Sequence, residues 1–203
     1  MSDRKITLVR HGKVNGKAAL YGHTDIELSE QGKLDLRNTM EHVHQDSAID
    51  RILSSPLTRC AALATEFSLQ HQIPLHIEPE LMEMHFGKWD GIAFDELGDE
   101  WVNLENFWQT PHSAQPPGGE SLNDFAQRVI TAWELLLSND GYQHQLVLCH
   151  GGVIRIIIAH ILQLDWRNPA LFRQLQIDYA SHTRIDISSF PNALPLVRWI
   201  GAR

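Results

Sequence analysis

The sequence has little cysteine and no apolar run long enough to span a bilayer. Cys60 and Cys149 are the two cysteines among 203 residues, and they form neither a CxxC pair nor a disulfide framework. We expect both to be small buried side chains, the usual fate of a free cysteine, and nothing indicates an oxidising compartment. The most apolar stretch, residues 153–164, contains Arg155 and His160 and is shorter than the roughly 20 residues that cross a bilayer.

An excess of positive charge is also absent. The formal net charge is −8, which argues against nucleic-acid binding because such proteins usually present a basic face. An anionic substrate stays possible where a few arginines converge. Residues 6–9 form too short an apolar run for a signal peptide. We therefore expect a cytoplasmic protein without a membrane or nucleic-acid partner, while its oligomeric state stays open.

The histidines do not form a metal-binding pattern. There are 12 in the chain, yet His42 and His44 are the only close pair, and no H-x-x-x-H motif or Cys/His cluster occurs. We expect no metal ion and no cofactor.

Length and composition predict a single domain over residues 1–203. An apolar content of 43% is sufficient for a sizeable core, and the length is typical of one domain. The regular pattern weakens at about residues 80–117, where aromatic residues that include Trp89, Trp101, Phe107 and Trp108 are scattered among acidic residues. We interpret this segment as a lid-like insertion.

Helix start signals alternate with short apolar runs. Ser29 is expected to cap a first helix, and Ser55 to cap a second helix that has Pro56 at its first position. Ser121 with Asp124 resembles a capping box. The apolar positions of the first helix are Leu34, Leu36, Met40 and Val43.

Short runs rich in β-branched and other apolar residues predict the strands. The alternation of strands and helices indicates an α/β fold with a mostly parallel sheet. In such folds the site lies at the carboxyl ends of the strands, where His11 and His150 both stand. We expect the last two strands to flank a Pro191-Asn192 turn. The predicted strands are residues 6–9, 49–54, 74–77, 145–149, 183–187 and 196–200.

Arg10-His11-Gly12 follows a strand directly. A neutral imidazole is a good nucleophile toward phosphorus. The adjacent arginine can bind two phosphate oxygens in a bidentate manner, and the glycine permits close approach of the backbone to a ligand. Taken alone, a histidine at a strand end is more often structural.

The other candidates also have plain structural interpretations. His150-Gly151-Gly152 opens a helix whose N–H groups favour an anion, but it is equally compatible with a tight turn. Arg59 in a first helical turn opposes the helix dipole unless an anion is bound, although a surface ion pair would also explain it. Glu83 among apolar neighbours suits proton transfer, and a solvated loop acid is the alternative.

Taken together and in order, these motifs resemble the histidine phosphatase superfamily, also called phosphoglycerate-mutase-like. The resemblance implies a three-layer α/β/α sandwich and phosphoryl transfer without a metal. The motifs that carry it are Leu8-Val9-Arg10-His11-Gly12, Leu28-Ser29-Glu30-Gln31-Gly32, Ser54-Ser55-Pro56-Leu57-Thr58-Arg59, Glu83 with Phe86-Gly87-Lys88-Trp89-Asp90-Gly91, Pro117-Gly118-Gly119-Glu120-Ser121, and His150-Gly151-Gly152.

The resemblance also implies a role for each site residue. His11 would be the phosphorylated nucleophile, and Glu83 the proton donor. The residues expected to bind the transferring phosphoryl group are Arg10, Arg59 and His150. The backbone expected near the substrate is that of Tyr21, Gly22, Gly151 and Gly152.

One part of the family pattern is missing. Family members usually carry an acidic residue and a Ser or Thr after Arg-His-Gly, and then an asparagine six residues beyond the histidine. Lys13, Val14 and Lys17 stand at those positions here. Asn15 or Lys17 could take the vacant role, and the sequence does not decide between them.

The sequence therefore predicts a phosphomonoesterase acting on a small molecule. A broad-specificity phosphatase of sugar or nucleotide phosphates is one form of this prediction. A non-catalytic domain that binds a phosphorylated ligand is the alternative from another class, and a metal-dependent hydrolase is the weakest of the hypotheses.

Overall fold

The computed structural model describes residues 3–190 and 193–203. Within them, six strands form one sheet. The strands are β1 (Arg4–Arg10), β2 (Arg51–Ser54), β3 (Leu75–Ile77), β4 (His144–Cys149), β5 (His182–Ile187) and β6 (Leu196–Ala202). Their order in the sheet is β3-β2-β4-β1-β5-β6. The first four in this order pair in parallel, and β5 and β6 are antiparallel additions.

Helices cover both faces of the sheet. None of the helices in the described part of the chain is long and apolar enough to cross a membrane. The helices are α1 (Glu30–Asp46), α2 (Thr58–His71), α3 (Glu100–Gln109), α4 (Leu122–Ser138), α5 (Gly151–Ile161) and α6 (Ala170–Arg173). Short 3-10 turns at Pro79–Leu81, Gly87–Trp89 and Phe94–Glu96 connect β3 to α3.

The side chains of the central strands alternate between two cores. Leu8 and Val147 belong to the core that includes the buried faces of α4 and α5. Val9 and Leu148 belong to the core shared with α1 and α2. Both faces of the central strands are buried, as expected for parallel strands covered by helices on both sides. The predicted three-layer α/β sandwich is therefore confirmed, with a mixed sheet, and both cysteines are buried and free as expected.

The expected start of the second helix is wrong. Helix α2 begins at Thr58, with Leu57 at its N-cap position and no side-chain cap of its own. The Ser55 hydroxyl instead lies 2.8 Å from Nε2 of His150. The carboxylate of Asp25 accepts hydrogen bonds from the Thr58 N–H at 2.8 Å and from its hydroxyl at 2.7 Å. Asp25, from a loop distant in sequence, therefore caps α2 in place of the predicted Ser55.

The first helix starts as predicted, but one of its apolar positions differs. The hydroxyl of Ser29 accepts from the N–H of Gly32, and Leu36, Met40 and Val43 are buried. Leu34 is 47% exposed, because it lies two residues from Leu36 and so on the opposite side of the helix. The Pro191-Asn192 turn expected between the last strands lies outside the described residues.

The segment at about residues 80–117 packs against the core with part of its aromatic side chains. Trp89 and Phe107 are almost fully buried and belong to the core that includes α4 and α5. Trp108 is partly buried against the same core. Trp101 is 47% exposed and contacts Phe94 at 5.9 Å between ring centres. The segment thus contains both core residues and residues that reach a cavity described below.

Candidate active site

His11 follows β1 directly and is 5% exposed. Its Nδ1 lies 2.8 Å from the carbonyl of Gly12, and because a carbonyl only accepts, Nδ1 carries the proton and Nε2 keeps its lone pair. Burial lowers the pKa of His11 well below 6.5, and the charges of Arg59 and Arg10 lower it further. The ring is therefore neutral near pH 7, the state in which imidazole attacks phosphorus.

Arg10 lies beside this ring and has a buried donor without a partner among the described residues. Its Nη1 donates to the carbonyl of Ile177 at 2.6 Å, and the guanidinium stacks on Tyr179 at 3.9 Å from the ring centre. Nε of Arg10 is buried and has no hydrogen-bond partner among the described residues. Buried donors are normally paired, so this one suits an anionic oxygen of a ligand.

His150 is brought to His11 by the register of two parallel strands. Arg10 on β1 pairs with Cys149 on β4, so the residues that follow lie side by side, with ring centres 5.1 Å apart. Nδ1 of His150 accepts from Nε of Arg59 at 3.2 Å, which places the proton of the neutral ring on Nε2. Burial lowers the pKa of His150 well below 6.5, and nearby cationic side chains add to that effect.

Arg59 is fully buried. Most of its N–H groups donate to backbone carbonyls of the loop at residues 21–24. Its Nη1 donates to the carbonyl of Thr24 at 3.0 Å, and its Nη2 donates to those of Tyr21 and Gly22 at 2.8 and 2.6 Å. With the bond to His150, four of the five guanidinium N–H groups are used. One N–H on Nη1 has no hydrogen-bond partner among the described residues.

The carboxylate of Glu83 lies at the N-terminus of α5. Oε2 accepts from the N–H of Gly152 at 2.9 Å, and Oε1 accepts from the N–H of Met84 at 3.0 Å. A Cβ on Gly152 would overlap Oε1 of Glu83, so glycine at this position permits the close approach. Each oxygen keeps a further lone pair that a substrate proton could use.

Arg128 on α4 fixes the turn that carries Glu83. It donates to the carbonyls of Glu80, Met82 and Glu83 at 2.7 to 3.0 Å, and its Nη2 pairs with the carboxylate of Glu120 at 2.7 Å. No local sequence pattern indicates this positioning role, because Arg128 lies 45 residues from Glu83 along the chain.

Asp90 organises the loop that contains Tyr21 and Gly22. Its carboxylate accepts from the N–H groups of Gly22, His23 and Thr24 at 2.8 to 3.1 Å and from that of Phe86 at 3.2 Å. Burial alone would raise the pKa of Asp90, but these hydrogen bonds outweigh it and the pKa is lowered. Asp90 is therefore a charged structural residue of the loop.

A cavity open to solvent lies in front of His11. It brings together Arg10, His11, Glu83 and the backbone of Gly151 and Gly152. Tyr21 also lines it, whereas Arg59, His150 and Gly22 lie behind the lining. The apolar part of its wall consists of Val14, Ala19, Leu20, Met84, Phe86, Phe107, Trp108, Pro111, Leu122, Phe125 and Phe172.

Known proteins resemble this chain over most of its length. Residues 6–199 match the model of the histidine phosphatase superfamily (branch 1). The chain belongs to this superfamily. It is 32% identical to the adenosylcobalamin/alpha-ribazole phosphatase of Salmonella typhimurium, with 90% of each chain covered. It is 31% identical to a 2,3-bisphosphoglycerate-dependent phosphoglycerate mutase of Methylobacterium radiotolerans, covering 86% of this chain and 85% of the mutase.

A solved structure supports the same assignment. The alpha-ribazole phosphatase of Shigella flexneri superposes with a TM-score of 0.82 at 27% identity, covering 98% of this chain and 96% of that chain. The relatives named as phosphatases support phosphatase activity for this histidine phosphatase. Because a mutase of similar identity is also among the relatives, the comparisons do not show which substrate this chain acts on.

Neither candidate for the vacant asparagine role, Asn15 or Lys17, reaches this cavity. Lys17 forms an ion pair with Glu96 and its side chain is 66% exposed. Asn15 is exposed. Neither residue lines the cavity, so this histidine phosphatase has no side-chain donor from residues 15 or 17 there.

Arg155 is a cationic residue of the cavity that the sequence interpretation missed. It lies on α5, four residues after Gly151, and lines the cavity. A spacing of four residues places two positions on the same side of a helix. That spacing, counted from the His150-Gly151 motif, was the signal that could have identified it.

Among the described residues, no group of three or more histidine, cysteine or acidic side chains is placed to hold a metal ion.

Proposed function

We propose that this histidine phosphatase transfers the phosphoryl group of its substrate to His11 and then to water. The observation that carries the proposal is the state of His11. It is neutral, its Nδ1 is held by the Gly12 carbonyl, and it shares one cavity with Arg10 and Glu83.

The reaction has two steps that share one acid–base group. First, Nε2 of His11 attacks phosphorus, the bond from phosphorus to the ester oxygen breaks, and Glu83 gives its proton to the departing alkoxide. Second, water attacks the phosphohistidine, Glu83 takes a proton from that water, and His11 and inorganic phosphate are released. Glu83 thus ends the cycle protonated, as it began.

Cationic and neutral donors are proposed to stabilise the phosphoryl oxygens. Arg10 offers its unpaired Nε, and Arg59 offers its remaining N–H. His150 would join them by exchanging its bond to Ser55 for one to the phosphoryl group. A key donor of this kind contributes about 2.7–4 kcal/mol to transition-state stabilisation. Because these residues supply the positive charge, we propose that the reaction needs no metal ion.

Alpha-ribazole phosphate is the proposed substrate. The loop Tyr21-Gly22-His23-Thr24 and the turn Pro117-Gly118-Gly119-Glu120-Ser121 look most like those of alpha-ribazole phosphatases, the enzymes of nucleotide-loop synthesis in cobalamin formation. The relative at 32% identity carries that name. The aromatic wall near Phe107, Trp108 and Phe172 suits a flat apolar base such as a benzimidazole.

A broad-specificity phosphatase of sugar or nucleotide phosphates is the second candidate. The observation that favours it is that the cavity wall away from the reacting groups is mostly apolar, and an apolar wall discriminates weakly between similar substrates.

The test is kcat/KM for alpha-ribazole phosphate, sugar phosphates and nucleoside monophosphates, measured in excess chelator. The proposal predicts hydrolysis in chelator, with alpha-ribazole phosphate preferred by at least about tenfold. Trp108→Ala should reduce that preference, and Trp101→Ala, outside the cavity, is the matched control. Comparable rates for all esters would favour the broad-specificity candidate. Binding without hydrolysis would indicate a non-catalytic domain, and hydrolysis abolished by chelator would indicate a metal-dependent enzyme.

A further inference from the structure

Arg155 lines the cavity and has one guanidinium nitrogen without a hydrogen-bond partner among the described residues. Nε and Nη2 both donate to the carbonyl of Leu175, at 3.1 and 2.8 Å. No hydrogen bond joins Nη1 to any residue that the structure describes. Because two bonds to one carbonyl fix the plane of the guanidinium, Nη1 is held in position before a substrate binds.

That nitrogen lies next to the reacting groups. The position of a Cβ on Gly151 would be 3.0 Å from Nη1 of Arg155 and 3.4 Å from Nε of Arg10. The following residue, Gly152, binds the carboxylate of Glu83. Burial lowers the pKa of Arg155, and the charge of Glu83 opposes that shift. Arg155 therefore lies on the side of the site where Glu83 would protonate the leaving group.

The other polar groups of the cavity already have partners or roles. The unpaired Nε of Arg10 is already the proposed donor to the phosphoryl group, and the hydroxyl of Tyr21 donates to the carbonyl of Lys17 at 2.9 Å. The ring of Tyr179 stacks on Arg10. An oxygen carried by the leaving group close to the ester thus enters an apolar cavity in which Nη1 of Arg155 offers a charged donor.

We propose that Arg155 is a specificity-determining residue that donates from Nη1 to an oxygen on the leaving group. It therefore favours phosphomonoesters of hydroxyl-bearing alcohols, such as sugars, nucleosides and polyols, over those of plain alkyl alcohols. The inference rests on the proposed phosphatase function and names its substrate class. A plain alkyl ester leaves the donor unpaired, and a site built to bond an oxygen discriminates against an analogue that lacks it.

Two esters that differ only in hydroxyl groups test this assignment. Glycerol 3-phosphate and n-propyl phosphate have leaving groups of the same carbon length. The wild-type enzyme should prefer the glycerol ester in kcat/KM by at least about tenfold, and Arg155→Met should reduce the ratio of the two kcat/KM values by about 10- to 100-fold, as expected for a hydrogen bond to a charged group. Arg173→Met, at an exposed position on α6, removes the same charge outside the cavity and should change the ratio by less than about threefold.

Each outcome decides the question. If Arg155 only supports Leu175, Arg155→Met will slow both esters by the same factor, the ratio will stay constant, and the proposal is overturned. The proposal is also overturned if the wild-type enzyme shows no preference for the glycerol ester. That measurement uses the wild-type enzyme alone and does not depend on the folding of a variant. A wild-type enzyme that hydrolyses neither ester nor any other phosphomonoester overturns the proposed function itself.

Discussion

Single residues in the site divide into those that hold the structure and those left for a ligand. Asp90 accepts hydrogen bonds from backbone N–H groups of two loops, and Glu120 is paired with Arg128. Among the described carboxylates, Glu83 is the one that lines the cavity in front of His11. Glu83 is therefore the proposed proton donor on geometric grounds as well as by family resemblance.

Glu83→Gln should slow the hydrolysis of an alkyl phosphate by about 10²–10⁴-fold, the usual range for general acid catalysis. An aryl phosphate such as para-nitrophenyl phosphate departs without a proton, so its phosphorylation step should suffer much less. The measurement is single-turnover phosphorylation, because Glu83 would also activate water in the second step.

Glu120→Gln is the control for this variant. It removes a carboxylate that lies near the turn of Glu83 but outside the cavity, and its effect should not depend on the leaving group. If Glu120→Gln or Asp90→Asn shows the dependence on leaving group and Glu83→Gln does not, the acid has been assigned wrongly.

At the scale of secondary structure, the N-terminus of α5 holds the carboxylate of Glu83 next to the proposed phosphoryl site. Glu83 binds the N–H of Gly152, and a Cβ at that position would meet its carboxylate. Gly152→Ala should therefore displace Glu83 and reduce kcat for alkyl phosphates by at least about tenfold, although alanine is the better helix former.

Gly141→Ala is the matched control, since a Cβ there meets its nearest neighbour at an ordinary 3.6 Å. Alkyl phosphate kinetics and the thermal unfolding midpoint of both variants would be compared. Unchanged kcat in Gly152→Ala would show that Glu83 does not depend on this close approach.

Local signals in the sequence predicted most of these elements, although the Ser55-Pro56 signal placed the start of α2 wrongly. Strands and their ends follow from short apolar runs, and parallel pairing then places His11 beside His150. The contacts it could not predict are long-range: Asp25 capping α2 at Thr58, Arg128 fixing the turn of Glu83, and the loop carbonyls that occupy Arg59. None of these partners has a spacing along the chain that a local pattern can detect.

At the scale of the whole molecule, buried histidines make stability depend on pH. His144 donates from Nδ1 to the carbonyl of Ser47 at 2.8 Å and accepts at Nε2 from the hydroxyl of Thr7 at 2.9 Å. Burial is the main reason that its pKa is lowered from 6.5 to about 4. Between these values the unfolded chain binds more protons than the folded one, so the free energy of unfolding falls as pH decreases from 6.5 toward 4.

His144→Gln should remove this part of the pH dependence. Its contribution between about pH 7.5 and pH 5 is about 2 kcal/mol, from 1.36 kcal/mol for each pH unit below 6.5. Urea unfolding at both pH values would measure it. The variant should be less stable than wild type at the higher pH and lose less stability on acidification. An equal loss in the two proteins would contradict the assignment.

The most direct test of the whole account is to trap the phosphorylated enzyme. Brief incubation with labelled phosphomonoester, an alkaline quench and peptide mapping would locate the phosphoryl group. The account predicts a base-stable, acid-labile label on His11 that is absent from His11→Ala, together with loss of turnover in that variant. Label on a different residue, or appreciable turnover by His11→Ala, would contradict it.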